Sequence, residues 1–294
     1  MKRIIDFGLW GVVAAAIGFL LAGYLGALHP AFDSVGVFRL YALGAVLMAL
    51  LMVVALRRWR MALVSGAVLL LVGTLMVPYG NAPTLEQGDL RVMQSNLLFL
   101  NSARELGPYA RQAAADVITL QEVTHRSQPS LQAMRKDYPH QIFCGFASVG
   151  GVAILSKYPA LSSGCERGEG MAWLRIETPR GPFTIVVLHL HWPWPYQQAE
   201  QLAKLIPQLE SLPRPIVVAG DFNMVPWSNT VQRIEAATDT QIIPGIRFSL
   251  NLYEGVVRLP IDHVLIPKGT VGRAEIGPQL GSDHQSVLAQ IAFE

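Results

Sequence analysis

The sequence predicts an α/β domain preceded by an all-α transmembrane region, and three observations predict it. Residues 1–80 contain three long uncharged runs, whereas residues 81–294 have the composition of an ordinary soluble domain. From Asp89 onward, β-rich runs alternate with helical or turn segments around what must be one shared core. In that second part, apolar runs repeatedly end on Asn, Asp, Glu or His. The two domains, 1–80 and 81–294, meet near Asn81.

The first domain is read from its charges. Residues 7–28 and 40–56 carry none, and the run beginning at Met61 meets none before Glu86. Each can span, since a bilayer core takes about 20 apolar residues and roughly 17 at the short end. The first run is longer than the 7 to 15 apolar residues usual for a cleaved signal peptide, and two further runs follow it. Lys2 and Arg3 precede the first run, while Arg57, Arg58 and Arg60 separate the second from the third; both sets belong on the cytoplasmic side. The loop holding Asp33, flanked by Arg39, then falls on the outer side. Three spans place residues 81–294 outside the cytoplasm, giving a multi-pass inner (cell) membrane protein with a cytoplasmic N-terminus and a periplasmic or extracellular catalytic domain. The only cysteines, Cys144 and Cys165, lie in that exported part, where they either form a disulfide or remain two buried thiols.

The net charge of +2 misleads if it is assigned to the soluble part. Of 23 basic and 21 acidic residues, six and two fall before Asn81, leaving 17 against 19, a balance of −2. This excludes a strongly basic grip on nucleic acid.

Taken in order, residues 90–95 form a first strand with Asn96 at its end. Residues 102–115 read as a helix whose early part is disturbed by Pro108. Residues 116–120 are a strand ending in Gln121 and Glu122. Further strands cover 151–155, 171–177 and 184–188, the last releasing His189, Leu190, His191 and Trp192 into a loop stiffened by Pro193 and Pro195. Residues 197–209 are a helix. Gly168 and Gly170 flank an acidic turn without a phosphate-loop pattern.

The central stretch runs from Ile216 to Trp227. Ile216, Val217 and Val218 suit a strand covered on both faces. Gly220 is expected to let the backbone turn, so that Asp221 and Asn223 emerge together. Two apart, they share one side of an extended chain; the other reading is a strand followed by an Asx turn. The last polar stretches surround Asp262 with His263, and Asp283 with His284, before a closing strand over 287–292.

Separate segments thus deliver Asn96, Glu122, His189, Asp221, Asn223, Asp262, Asp283 and His284. Carboxylates, amides and histidines with almost no Lys or Cys suit a hard cation, Mg²⁺ or Mn²⁺. Zinc is disfavoured because no closely spaced zinc motif is present.

The ordered set Gln94-Ser95-Asn96, Leu120-Gln121-Glu122, His189-Leu190, Gly220-Asp221-Phe222-Asn223, Ile261-Asp262 and Ser282-Asp283-His284 resembles the endonuclease/exonuclease/phosphatase superfamily over roughly residues 89–293. A Trp-Pro element after the His-Leu pair is similar to membrane-anchored bacterial members. The resemblance implies a four-layer α/β sandwich of two packed mixed β-sheets flanked by helices, and hydrolysis of phosphoesters in DNA, RNA, phospholipids or inositol phosphates. It further implies Asn96, Glu122 and Asp283 as the metal site, with Glu122 the direct carboxylate ligand. His189 would bind and neutralise the phosphate, Asn223 would orient a phosphate oxygen, and Asp262 would steer His284. Asp221 and His284 share the roles of base and transition-state stabiliser, in either assignment.

His191, Trp192 and Trp194 are candidate substrate contacts. The aromatic loop through Tyr196 offers either a platform for a base, sugar or lipid headgroup or rigid packing of a Pro-rich loop. His263 should point away from Asp262 by strand alternation. The expected function is a metal-dependent phosphodiesterase at the membrane acting on a lipid-linked phosphoester. The alternatives are an exported DNA or RNA endonuclease, and a receptor that binds a phospho-ligand without turnover. The partners are the phosphoester substrate and the bilayer, with no obligate protein partner evident.

Overall fold

The computed structural model describes residues 2–80, 83–85 and 88–293. Its first part is helical: α1 (Lys2–Ala22), the short α2 (Pro30–Gly36), α3 (Arg39–Ala55) and α4 (Trp59–Gly80). Among the described residues, only α4 is by itself long and apolar enough to cross a bilayer. The apolar part of α1 is limited to Asp6–Ala22, and α3 meets the test only together with α2, from which it is bent by 64°. The expectation of three full spans is not supported: one helix meets the length and apolarity of a span, or two if the bent α2–α3 pair counts as one. The physical reason lies at residues 23–28, where the chain leaves the helix to pack on α2. A Cβ on Gly23 would meet Gly36 Cα at 2.9 Å, and one on Gly26 would meet Asp33 Oδ1 at 2.6 Å.

The second part begins with β1 (Leu90–Asn96), α5 (Leu106–Gln112), β2 (Val117–Val123), α6 (Gln128–Ala133), β3 (His140–Ala147) and β4 (Gly150–Ser156). It continues through β5 (Ala160–Glu166), β6 (Met171–Thr178), β7 (Gly181–His189), α7 (Gln198–Ser211), β8 (Ile216–Asp221) and α8 (Asn229–Thr238). It closes with β9 (Thr240–Ile242), β10 (Leu250–Leu252), β11 (Val257–Leu259), β12 (Asp262–Pro267), β13 (Val271–Ile276) and β14 (Val287–Ala292). Two six-stranded mixed sheets result, ordered β13-β14-β1-β2-β4-β3 and β5-β6-β7-β8-β12-β9, with β10 and β11 forming a separate hairpin. The parallel pairs are β1 with β2 and β7 with β8. Each pair sits at the middle of its sheet, so four strand ends arrive at one end of the sandwich.

Alternation explains why the core turns into a site. Leu90 and Val92 on β1, Ile185 and Val187 on β7, Val217 and Ala219 on β8, and Val264 on β12 fill the space between the sheets. Because side chains alternate with period two, the same parity carries Gln94, Asn96, His189, Asp221 and Asp262 into that space at its end. Opposite parity faces outward. Met93, Ile118 and Leu120 pack with Leu106 and Ala110 of α5. On the other sheet, Val186, Leu188 and Val218 pack with α7 and α8, in a cluster that also takes in Leu20, Val46, Val72 and Met76 of the first part.

Two local expectations change. Gly220 does not turn the chain; it lies inside β8, where a Cβ would meet Leu188 O of β7 at 2.0 Å. Helix α5 is shorter than 102–115 because it begins only two residues before Pro108, which is tolerated in the first turn where its missing N–H has no helical partner. The cysteines form a disulfide, Cys144–Cys165, with Cα atoms 5.5 Å apart. It links β3, at the edge of one sheet, to β5, at the edge of the other.

Candidate active site

The registers of the two sheets assemble the site. His189 lies opposite Asp221 across β7 and β8, and Asp221 opposite Asp262 across β8 and β12. From the facing sheet, Gln94 Nε2 crosses to Asp262 Oδ1 at 2.7 Å and also donates to Gln121 Oε1 at 2.8 Å. Asn96 Nδ2 donates to Asp221 Oδ2 at 3.1 Å and to Glu122 Oε1 at 3.2 Å. Amides therefore join the two sheets where apolar contacts end.

Glu122 reaches the site by breaking alternation. The β2–β4 register shifts between Leu120 and Val123, and Glu122 takes a left-handed φ of 56°. Its Oε2 accepts from Phe99 N at 2.8 Å. Asn223 also has a left-handed φ, 48°, and its N–H donates to Asp221 Oδ1 at 2.8 Å. The strand does end in an Asx turn, and that turn is what holds both side chains in the site. Left-handed conformations at residues other than glycine cost on the order of 1 kcal/mol or more each and cluster where function constrains the chain.

His284 Nδ1 is 2.8 Å from Asp262 Oδ2, and its Nε2 is 3.8 Å from Asp221 Oδ2. His189 Nε2 approaches the same Asp221 oxygen at 3.6 Å. Burial opposes a charged imidazole, but the carboxylates of Asp262, Asp221 and Asp283 outweigh it and push His284 up to about 10. Burial raises Asp221 to about 7, with His284 acting against that rise. Asp262 is held low despite its burial, by the charge and hydrogen bond of His284. His189 is driven down to about 3, by burial and then by the His284 charge. Burial thus favours the neutral ring at His189, while the surrounding carboxylates favour the charged ring at His284. Burial also raises Glu122, against hydrogen bonds from Phe99 N and Asn96.

A buried Asp221, Asp262 and His284 group has ligand atoms close enough to hold an ion. Both Asp262 oxygens are already engaged, by Gln94 and by His284, so this trio is better described as an orienting pair beside Asp221. Glu122, Asn96 and Asp283 offer a second acidic group, in which Glu122 Oε1 and Oε2 accept from Asn96 Nδ2 and Phe99 N and Asn96 Oδ1 accepts from Leu98 N. Glu122 and Asp283 line the cleft, and among the described residues the charged groups acting on the desolvated Glu122 carboxylate are His284 and Asp283. Such a group gains most from a bound cation.

The cleft encloses about 400 Å³ and is lined by Glu122, His189, His191, Trp192, Asp221, Asn223, Asp283 and His284, among others. Asn223 Nδ2 donates to Leu190 O at 2.8 Å, while its buried Oδ1 has no protein partner. His189 Nδ1 is likewise unpartnered. Phe146 packs on the rings of His189 and His191, with centroids 5.2 and 4.8 Å away. Trp194 lies outside this cleft and packs edge-on against His29. His263 points away from the cleft, its Nε2 2.7 Å from Met224 O.

Sequence reasoning passed over several residues that shape this site. Gln94 and Gln121 give no sign in the sequence of the bonds that tie them to each other and Gln94 to Asp262. Gln201 is buried beneath the His189 loop, donating to His189 O and accepting from His191 N. Gly170 approaches His189 O so closely that a Cβ would lie 2.2 Å from it. A glycine beside an acidic turn gives no sequence signal of that contact.

Two packed mixed sheets with acidic, amide and imidazole groups at one end define a class of phosphoesterase-like folds. Residues 93–284 match the Endonuclease/Exonuclease/phosphatase family, and the chain belongs to it. Members of that superfamily are mostly metal-dependent hydrolases of phosphoesters. The chain is 32% identical over 168 residues to a UPF0294 protein of Vibrio vulnificus strain YJ016, a match covering 51% of this chain and 57% of that one. The match thus spans little more than half the length of that relative. Among solved structures, sphingomyelinase C from Streptomyces griseocarneus superposes with a TM-score of 0.53 at 18% identity, covering 69% of this chain and 99% of that chain. Beta toxin from Staphylococcus aureus, in a double variant with bound magnesium ions, superposes with a TM-score of 0.52 at 14% identity, with coverage of 69% and 99%. At these identities the structural likeness is one of fold.

Proposed function

We propose that the protein is a membrane-tethered, divalent-metal-dependent phosphodiesterase that works outside the cytoplasm on a phospholipid or other lipid-linked phosphoester. The observation that carries this reading is the attachment of the cleft to the helices. Tyr41, in the first turn of α3, donates to Arg258 O at 3.0 Å and accepts from Arg258 N at 2.9 Å. It thereby anchors the β10–β11 hairpin, whose Leu250 and Leu252 line the cleft. On the other wall, Ser34 Oγ of α2 donates to Trp194 O at 3.0 Å, in the loop that follows His191 and Trp192. One wall rests on α2 and the other on the first turn of α3, at the height of a bilayer surface if α3 and α4 are immersed.

The helices favour immersion. Phe7, Phe19, Met48, Leu51, Leu63 and Leu70 are exposed along them, and apolar surface of that extent marks a membrane or protein contact. The disulfide favours an oxidising compartment, and the arginines between α3 and α4 favour a cytoplasmic side opposite the cleft.

The chemistry follows from the groups in the cleft. Asp221, raised toward neutrality in a dry site, is suited to take a proton from an attacking water. His284, held charged and oriented by Asp262, presents an N–H where negative charge accumulates on the phosphoryl oxygens. Asn223 and neutral His189 hold those oxygens in place. A Mg²⁺ or Mn²⁺ ion held by Glu122, Asn96 and Asp283 would supply further positive charge at the phosphoester. The testing experiment places wild type and His284→Ala in phospholipid vesicles, with Mg²⁺ or EDTA, and follows headgroup release and plasmid nicking together. Headgroup release that requires Mg²⁺ and His284 is the expected result. Nicking with intact lipid would make the protein a nuclease; Mg²⁺-dependent ligand binding without either product would make it a receptor.

A further inference from the structure

We propose that the segment joining α1 to α3 is a positioning element of the active site, acting through Asp33, Thr230 and Gln198. The proposal rests on the phosphodiesterase reading of the site but not on a lipid substrate.

Asp33 is a buried carboxylate in α2, far in sequence from every residue it holds. Its Oδ1 accepts from Asn229 N at 2.8 Å, and its Oδ2 accepts from Thr230 N and from Thr230 Oγ1, both at 3.0 Å. An anion on the first N–H groups of a helix is favourably placed, and here it fixes the start of α8 against α2. The Thr230 hydroxyl lies between Asp33 Oδ2 and Gln198 Oε1, the latter at 3.3 Å, so its single proton is shared between two acceptors.

Gln198, at the start of α7, completes the connection. Its Nε2 donates to His191 O at 2.6 Å and to Phe222 O at 3.1 Å. Those carbonyls belong to the two loops that carry the chemistry: His191 is two residues beyond His189, and Phe222 lies between Asp221 and Asn223. One buried amide therefore sets the spacing of both loops. Its orientation is forced, since the reverse flip would turn Oε1 onto two carbonyl oxygens. The path Asp33–Thr230–Gln198 runs by direct hydrogen bonds from α2 to the backbone of His191 and Phe222, along one wall of a cavity of about 130 Å³. A buried docking contact off this path is Trp227 Nε1 donating to Gly36 O at 2.8 Å.

The test uses full-length protein in detergent and a soluble phosphodiester, bis(p-nitrophenyl) phosphate with Mg²⁺, so that membrane attachment is irrelevant to turnover. Gln198→Met, which keeps the volume but loses both donors, should lower kcat roughly ten- to a hundredfold with little change in KM. Asp33→Ala should lower kcat in the same sense, and Asp33→Asn, which keeps one acceptor, should restore part of it. The double variant Asp33→Ala/Gln198→Met should be no worse than Gln198→Met alone, because both act along one path. Trp227→Phe, which breaks a docking bond outside the path, should leave turnover unchanged. Hydrogen exchange provides a readout independent of activity: Asp33→Ala should speed exchange in peptides covering residues 189–192 and 221–224. Wild-type turnover with unaffected variants, or exchange that changes only around residues 229–230, would overturn the proposal. Wild type that turns over no phosphodiester would defeat the phosphodiesterase reading instead, with exchange still deciding whether the path positions the loops.

Discussion

His263 stands behind the site with its ring 5.3 Å from that of Phe222 and its Nε2 on Met224 O. Burial holds it down to about 4, against an ordinary value of 6.5. Between those values the unfolded chain binds a proton that the folded protein does not, so stability rises with pH. The contribution is complete above about pH 6.5 and is lost as the pH falls toward about 4, in total on the order of 3 kcal/mol. Thermal midpoints from pH 7 to 4 should fall less steeply for His263→Gln, which keeps a donor for Met224 but does not titrate; parallel slopes would contradict a neutral buried ring. Glu122 makes the second prediction at this scale. Magnesium at about 100 times its Kd should stabilise wild type by roughly 2.7 kcal/mol, and Glu122→Gln should lose most of that thermal shift. An undiminished shift in the variant would move the metal away from Glu122.

At the scale of elements, the sheet centre is tightest where β7 and β8 run side by side. Gly220→Ala would drive a methyl into the Leu188 backbone, and overpacking of this kind costs about 1–3 kcal/mol. Chemical or thermal unfolding should register that loss, together with lower activity, because Asp221 is the next residue. A variant as stable as wild type would mean that the two strands can part without penalty. The elements that sequence could reveal were those with a one-dimensional signature. Ile216 to Val218 and Leu90 to Val92 show it, and the polar residues ending those strands were legible with them. Strand β5 did not, because Ser162, Ser163 and Gly164 lie on an exposed sheet edge and bury little. Strand β13 alternates in burial, but its inward residues are Gly272 and Ala274, too small to mark a pattern. The β10–β11 hairpin is three residues a side and draws its stability from contacts remote in sequence.

For the whole molecule, the question is how a cleft at one end of a sandwich meets its substrate. The apolar cluster running from Leu20 and Val72 into the α7–α8 layer makes the helices and the two-sheet sandwich one packed body. A flexible tether would let the cleft sample all orientations, whereas this packing gives it a fixed one relative to α4. Membrane association can be tested at Leu70, exposed in the middle of α4. Wild type should remain in the membrane pellet after an alkaline carbonate wash. Leu70→Arg, at a cost of about 2.5–3.5 kcal/mol for an arginine at a helix centre, should shift protein into the supernatant. Wild type released by the wash would remove the tether from the proposed function.

The sequence by itself determined the strands that carry Asn96, Glu122, His189 and Asp221 at or near their ends, and the residue types offered there; the boundary it places near Asn81 lies outside the described residues. These are local facts, written in hydrophobic period and in which polar residue stops an apolar run. Tertiary structure decided the rest. Period-two alternation says which residues share a face, but only sheet order brings Gln94 opposite Asp262 and His189 opposite Asp221. The β2–β4 irregularity that turns Glu122 inward, the Cys144–Cys165 bridge and the path from Asp33 through Gln198 all depend on segments meeting across sequence separations that no local pattern records. A contact of that kind leaves its mark in space rather than along the chain.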